Sequence, residues 1–147
     1  MVYRPVAKIG VREHCAKALA IIWHPRHSAS AERILVVDDE DLSRNNLCLF
    51  LRGEGYEVRD AATGPEALEI LNRERFNLVF TDFIMPHVDG IWLVDLIHAQ
   101  WPTIPVVLVT AYLSTGTGDM ILAGKTEVIS KPIDLSELLT TTRRLLH

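Results

Sequence analysis

The chain has 147 residues, of which 48% are hydrophobic and 23% charged, and its net charge is −4. That length suits one domain with a core of its own, and the composition excludes a disordered chain. No apolar run approaches the roughly 18 residues of a membrane span, and two cysteines, Cys15 and Cys48, make no disulfide framework, so a reducing, cytoplasmic setting is expected.

The charge is uneven. Arg4, Lys8, Arg12, Lys17 and Arg26 against Glu13 give residues 1–30 a charge of +4, so the other 117 residues carry −8. Nothing in that acidic part has the basic footprint of a nucleic-acid binder. Residues 1–31 read as an extension, with one short helix over Val11–Trp23 stopped by His24-Pro25, then a linker at Ser28–Ala31. The stretch is too short, too late and too poor in a cleavage signal for a secretory leader. It is read as a segment that packs on the domain or frays, with a partner-binding helix as the alternative. His24 and His27 lack the further ligands that a metal site needs.

Residues 32–147 show a regular pattern. Arg33–Val37 reads as a first strand, and it runs straight into Asp38-Asp39-Glu40. Two like charges about 4 Å apart repel by roughly 4 kcal/mol at an effective dielectric of 20, so three acids at a buried strand end ask for a cation. A first helix follows over Asp41–Arg52, with Leu42, Asn45, Asn46, Leu49 and Phe50 near helical spacing, and Gly53 and Gly55 end it. Tyr56–Asp60 is a short strand. Thr63 caps a second helix that opens Gly64-Pro65-Glu66 and turns Ala67, Leu68 and Leu71 inward. Phe76–Phe80 is the third strand, followed by Thr81-Asp82. The loop Met85–Gly90 leads to a third helix over Ile91–Gln100, capped by Asp89. Ile104–Thr110 is a fourth, almost wholly apolar strand. Ser114–Gly118 is rich in glycine and hydroxyl residues, and Met120–Ala123 can form only a stub of a fourth helix. Thr126–Ser130 is the fifth strand, and Asp134 caps a last helix to Leu146.

Strands alternating with helices, with central strands apolar on both faces, describe an α/β fold with a covered parallel sheet. Ligand sites in such sheets lie at the carboxyl ends of the strands. Asp38, Asp39, Asp82, Thr110 and Lys131 all fall there. Three carboxylates suit a hard divalent ion such as Mg²⁺, while the lysine and threonine suit anionic oxygens, so phosphate beside a cation is the natural pair. The chain has no GxxxxGK[ST] loop, which argues against nucleotide hydrolysis. A carboxylate can itself attack phosphorus to give an acyl phosphate, and Asp82 is the best placed. Each residue also has a plainer role open to it. Asp39 or Glu40 can be a helix N-terminal acid, Asp82 a turn cap, Thr110 a β-branched strand residue and Lys131 a solvated strand end. His87 and His98 read as surface residues.

Four motifs carry a family resemblance: Ile34-Leu35-Val36-Val37-Asp38-Asp39-Glu40, Thr81-Asp82-Phe83-Ile84-Met85-Pro86-His87-Val88-Asp89-Gly90, Val107-Leu108-Val109-Thr110-Ala111 and Ser130-Lys131-Pro132. In their order and spacing the chain from Arg33 to Leu146 resembles the CheY-like receiver domain of two-component response regulators. The resemblance implies a three-layer doubly wound (βα)5 sandwich of flavodoxin type, with a five-stranded parallel sheet in the order 2-1-3-4-5. It implies a phosphoryl group accepted on Asp82 from a sensor histidine kinase or a histidine phosphotransfer protein. It also implies Mg²⁺ held by Asp39, Asp82 and the backbone carbonyl of Ile84, with Asp38 mostly through water, and phosphoryl oxygens bound by Thr110 and Lys131. The domain is then a signalling switch and not an enzyme.

Three departures are visible. The switch position three residues before Lys131, usually aromatic, is Val128. The span from Thr110 to Lys131 is about one residue short, and Ser114–Gly118 replaces much of the fourth helix. Ile84 and Tyr112, two residues after Asp82 and Thr110, offer little to orient an attacking water, so slow loss of phosphate is expected. No output domain follows Leu146, so the chain reads as a stand-alone receiver or as a fragment. The surface of the fourth helix, fifth strand and last helix is the family's usual homodimer face, and here the last helix carries Leu135, Leu138, Leu139 and Leu145, some of which must face the core. A non-phosphorylated pseudo-receiver that only binds partners is the alternative. An Asp-nucleophile phosphohydrolase fits less well, because it calls for a DxD pair on the first strand.

Overall fold

A computed structural model describes residues 31–86, 90–111 and 126–147. The expected N-terminal helix with His24 and His27, the loop residues His87 and Asp89, Tyr112, the glycine-rich stretch and the stub at 120–123 lie outside the described residues. Ala31–His147 forms one unit.

Five strands make one parallel sheet: β1 (Arg33–Val37), β2 (Glu57–Ala61), β3 (Leu78–Asp82), β4 (Val106–Thr110) and β5 (Thr126–Ser130). Their order is β2-β1-β3-β4-β5, the doubly wound order expected, with β1 and β3 side by side at the centre. In register, Val37 faces Thr81 and Ala61, Asp82 faces Val109, and Thr110 faces Ser130. All five carboxyl ends therefore reach the same edge.

Alternating residues build two cores. Leu35, Val37, Val79, Val106 and Leu108 point to one face. They meet Ala67 and Leu71 of α2 (Gly64–Arg73) and Leu93, Val94 and Ile97 of α3 (Gly90–Gln100). Ile34, Val36, Leu78, Phe80, Val107 and Val109 point to the other. These meet Leu47, Cys48 and Leu51 of α1 (Asp41–Gly53) and Leu138 of α4 (Leu135–Leu146). Full burial of a side chain such as Phe80 or Leu108 contributes roughly 1.5–3 kcal/mol.

The helix ends follow local chemistry. Thr63 accepts from the Glu66 N–H at 3.2 Å, and the Glu66 carboxylate reaches back to the Ala62 N–H at 2.9 Å, a variant of the capping box. Asp134 accepts from the N–H groups of Ser136 and Glu137 at 2.7 and 3.1 Å, a cap of the kind that contributes about 1 kcal/mol. Gly55 adopts φ +97°, a left-handed conformation that closes α1.

The structure corrects several sequence expectations. In α1 the inward face is Leu47, Cys48 and Leu51, while Leu42 and Leu49 are two-thirds exposed. The second strand starts at Glu57, because the Tyr56 N–H is bound to the Leu51 carbonyl at the end of α1. The third strand runs two residues later than expected, so Thr81 and Asp82 are strand residues and not its sequel. The fourth starts at Val106, after Pro105, which has no N–H to pair. On α4 the division expected of its leucines is seen, with Leu138 in the core and Leu135 facing outward.

Candidate functional site

The carboxyl edge of the sheet brings together the groups expected from the sequence. Asp38 follows β1 directly, and its N–H extends the pairing to the Ala61 carbonyl at 3.1 Å. Its side chain is buried, and one carboxylate oxygen accepts from the Glu40 N–H at 2.9 Å. Asp39 next to it is exposed. Asp82 ends β3. Oxygens of Asp38, Asp39 and Asp82 lie within 4.8 Å of one another. The donor set is three carboxylates with no sulfur and no imidazole, which fits a hard divalent cation such as Mg²⁺.

Lys131, directly after β5, reaches the same point. Its ammonium donates to Asp82 Oδ2 at 3.1 Å, while its own N–H donates to the Thr110 carbonyl at 2.7 Å. The other Asp82 oxygen is only loosely engaged, by the Ile84 N–H at 3.4 Å. Thr110 is buried at the end of β4. Ile84 is largely exposed in the loop after β3. Val128 lies in mid-β5 opposite Leu108, half-buried against the core, and stands back from the carboxylates.

The electrostatics of the pair are lopsided. Burial pushes the Asp82 pKa up, the hydrogen bond and charge of Lys131 pull it back only in part, and Asp38 pushes it up again. For Lys131 burial works to lower the pKa, but Asp82, Asp38 and Glu40 outweigh it and the net shift is upward. The rise at Asp82 comes first from burial, whereas the rise at Lys131 comes from the acids around its single ammonium.

Two features escaped the sequence reading. Gly90, the first residue of α3, sits against the strand that carries Asp82. A Cβ there would overlap the Asp82 carbonyl oxygen and lie 2.9 Å from Phe83 Cα. Arg44 of α1 donates from Nε to Asp60 at 2.9 Å, from one terminal nitrogen to the Asp38 carbonyl at 2.8 Å, and from the other to Asp41 at 2.6 Å. Burial opposes its charge, yet the bonds and fields of Asp41 and Asp60 raise its pKa overall. The spacing of Asp41 and Arg44 was a visible signal of an ion pair on one helix face. Asp60 on a neighbouring strand was not visible without the sheet order.

Comparison with known proteins agrees with the geometry. Residues 34–143 match the model of the response regulator receiver domain. The transcriptional regulatory protein ZraR of Escherichia coli (strain K12) is 39% identical over 114 residues, 77% of this chain and 26% of ZraR. The chain thus spans about a quarter of the length of that relative. A CheY-like receiver domain protein from Methanospirillum hungatei JF-1 superimposes with a TM-score of 0.76 at 33% identity, over 80% of this chain and 94% of that one. The response regulator TrrA of Thermotoga maritima, solved in complex with Mg(2+)-BeF, gives a TM-score of 0.72 at 32% identity, over 78% and 99% of the two chains. With a receiver model matched over most of its length and the carboxyl-edge cluster in place, this chain belongs to the response regulator receiver domain family.

Proposed function

We propose that the domain is a phosphorylation-dependent signalling switch in which Asp82 accepts a phosphoryl group. The donor is a phosphohistidine on a sensor histidine kinase or a histidine phosphotransfer protein. The observation that carries this reading is the meeting of Asp38, Asp39 and Asp82 within 4.8 Å, with Lys131 bound to Asp82. The TrrA complex with Mg(2+)-BeF, on a related fold, supports it.

In the proposed transfer an Asp82 oxygen attacks phosphorus. The phosphorus–nitrogen bond of the donor breaks, and the departing imidazole keeps the electron pair and takes up a proton. Phosphoryl transfer of this kind depends on positioning and charge neutralisation more than on covalent assistance. Asp38, Asp39, Asp82 and the Ile84 carbonyl would hold Mg²⁺, with Asp38 mostly through water, and the ion would neutralise charge on the phosphoryl oxygens. Lys131, already within 3.1 Å of Asp82, passes its hydrogen bond to a phosphoryl oxygen, and the Thr110 hydroxyl supplies another. The product adds roughly −1.5 to −2 charges at Asp82, a local change able to bias two packings of β4 and β5. Val128 has no ring to rotate, so the output movement differs from that of a domain with an aromatic switch. The partners proposed are the phosphodonor, a downstream protein and, through the outer side of β5 and α4, a second copy of the chain. The cytoplasm is the proposed setting.

Incubation with Mg²⁺ and acetyl phosphate, followed by intact-mass analysis, tests the reading. The wild type is expected to gain one phosphoryl group, and Asp82→Ala none. Catalytic turnover of the phosphodonor without a stable adduct would favour a hydrolase. Neither event in the wild type would favour a pseudo-receiver. The adduct is also expected to last, because Ile84 beside the site is apolar and cannot orient water. A half-life of seconds after removal of acetyl phosphate would contradict that expectation.

A further inference from the structure

Asp38 and Asp39 are adjacent, so the directions of their carboxylates depend on the peptide plane that joins them. The carbonyl of that plane belongs to Asp38, and it accepts the 2.8 Å hydrogen bond from Arg44. The same guanidinium is anchored by Asp60 at the end of β2 and by Asp41 in the first turn of α1. Its three nitrogens thus tie one strand end, one helix start and the peptide between the two acids into a single frame. Only 12% of the Arg44 side chain is exposed, although its partners Asp41 and Asp60 are open to water at 82% and 40%.

We propose that Arg44 is a positioning residue for the divalent-cation half of the site, setting the relative directions of Asp38 and Asp39. The inference rests on the reading of that edge as a Mg²⁺ site. Mg²⁺ demands near-ideal octahedral geometry, so a loosened pair of ligands costs affinity. Arginine suits the task because its donors form a rigid fork. A lysine has one nitrogen and cannot span Asp60, Asp41 and the Asp38 carbonyl at once.

Charge and position predict opposite results. Loss of a positive charge beside an acidic site would, by electrostatics alone, tighten cation binding. Loss of positioning would weaken it. The test is titration of the full chain with Mg²⁺ alone by isothermal calorimetry, well below the melting temperature, for wild type, Arg44→Lys and Arg44→Met. Both variants are expected to bind about 10-fold more weakly, in line with the effect of removing partners that orient metal ligands. The rate of acetyl phosphate labelling is expected to fall at limiting Mg²⁺ and to recover at saturating Mg²⁺. A purely structural role would lower melting temperatures in EDTA and leave the Kd of the folded protein unchanged, and that result overturns the inference. Tighter binding by Arg44→Met with an unchanged Arg44→Lys overturns it in favour of charge. A wild type that binds no Mg²⁺ removes the metal reading itself, and the inference with it.

Discussion

Gly90→Val is expected to lower the melting temperature by roughly 10 °C, a loss of about 2–3 kcal/mol at the upper end of overpacking effects. The reason is the close approach of α3 to the end of β3. A Cβ at position 90 would overlap the Asp82 carbonyl, lie 2.9 Å from Phe83 Cα and 3.1 Å from Leu108 Cδ1. Two of these neighbours are backbone, so no rotamer relieves the clash. The Gly90 N–H also donates to the Phe83 carbonyl at 2.8 Å, which pins the helix start in place. The backbone of Asp82 must therefore move, and phosphoryl acceptance is expected to fall even in the fraction that stays folded. Gly53→Ala is the matched control. Nothing lies within 4 Å of its added Cβ, and helix propensity favours alanine by up to about 1 kcal/mol. Thermal melts of the three proteins in one buffer give the comparison, and a Gly90→Val protein as stable as wild type would dispose of the argument.

Mg²⁺ is expected to stabilise the protein by about 2.7 kcal/mol at a free concentration one hundred times its Kd. In its absence Asp82→Asn is expected to be more stable than wild type at neutral pH. Burial raises the folded-state pKa of Asp82 above the usual 3.8, with Lys131 offsetting part of the rise and Asp38 adding to it. The charged form is thus less favoured in the folded chain than in the unfolded one. As far as this group is concerned, metal-free stability is greatest below the unfolded pKa. It falls as pH rises through the folded pKa, and stays reduced at neutrality. Asparagine removes that loss and keeps an acceptor for Lys131, but it gives up one ligand of the proposed Mg²⁺ site. Calorimetric melts in EDTA and in Mg²⁺ should therefore cross, with the variant ahead in EDTA and the wild type ahead in Mg²⁺. An Asp82→Asn protein that melts lower in EDTA would show that the ion pair with Lys131 outweighs desolvation and repulsion.

Much of this site could be read in the chain because the chemistry and the periodicity agree. A strand that ends in Asp38-Asp39 and a strand that ends at Asp82 are local patterns, and parallel strands send their carboxyl ends to one edge. Lys131 and Thr110 follow by the same rule. Where periodicity was degenerate the reading slipped. Leu47 to Leu51 is an unbroken apolar run, so α1 offered several equally apolar faces, and contact with Ile34, Val36 and Phe80 selected Leu47, Cys48 and Leu51. Asp82 was placed outside its strand because a carboxylate is a poor strand residue by propensity. Pairing with Val109 overrides that preference. Arg44 was missed because its role depends on Asp60, which becomes its neighbour only through the β2-β1 pairing.

The hydrogen bond between Lys131 and Asp82 joins residues 49 positions apart, so the ammonium beside Asp82 depends on a contact distant in the chain. The acids gather on the central strands, but their cation arrives with β5 at the sheet's margin. Without the pairing of β5 to β4, the three carboxylates would meet with no Lys131 beside them. The full set of charged groups at this edge therefore exists only when the fifth strand is in the sheet.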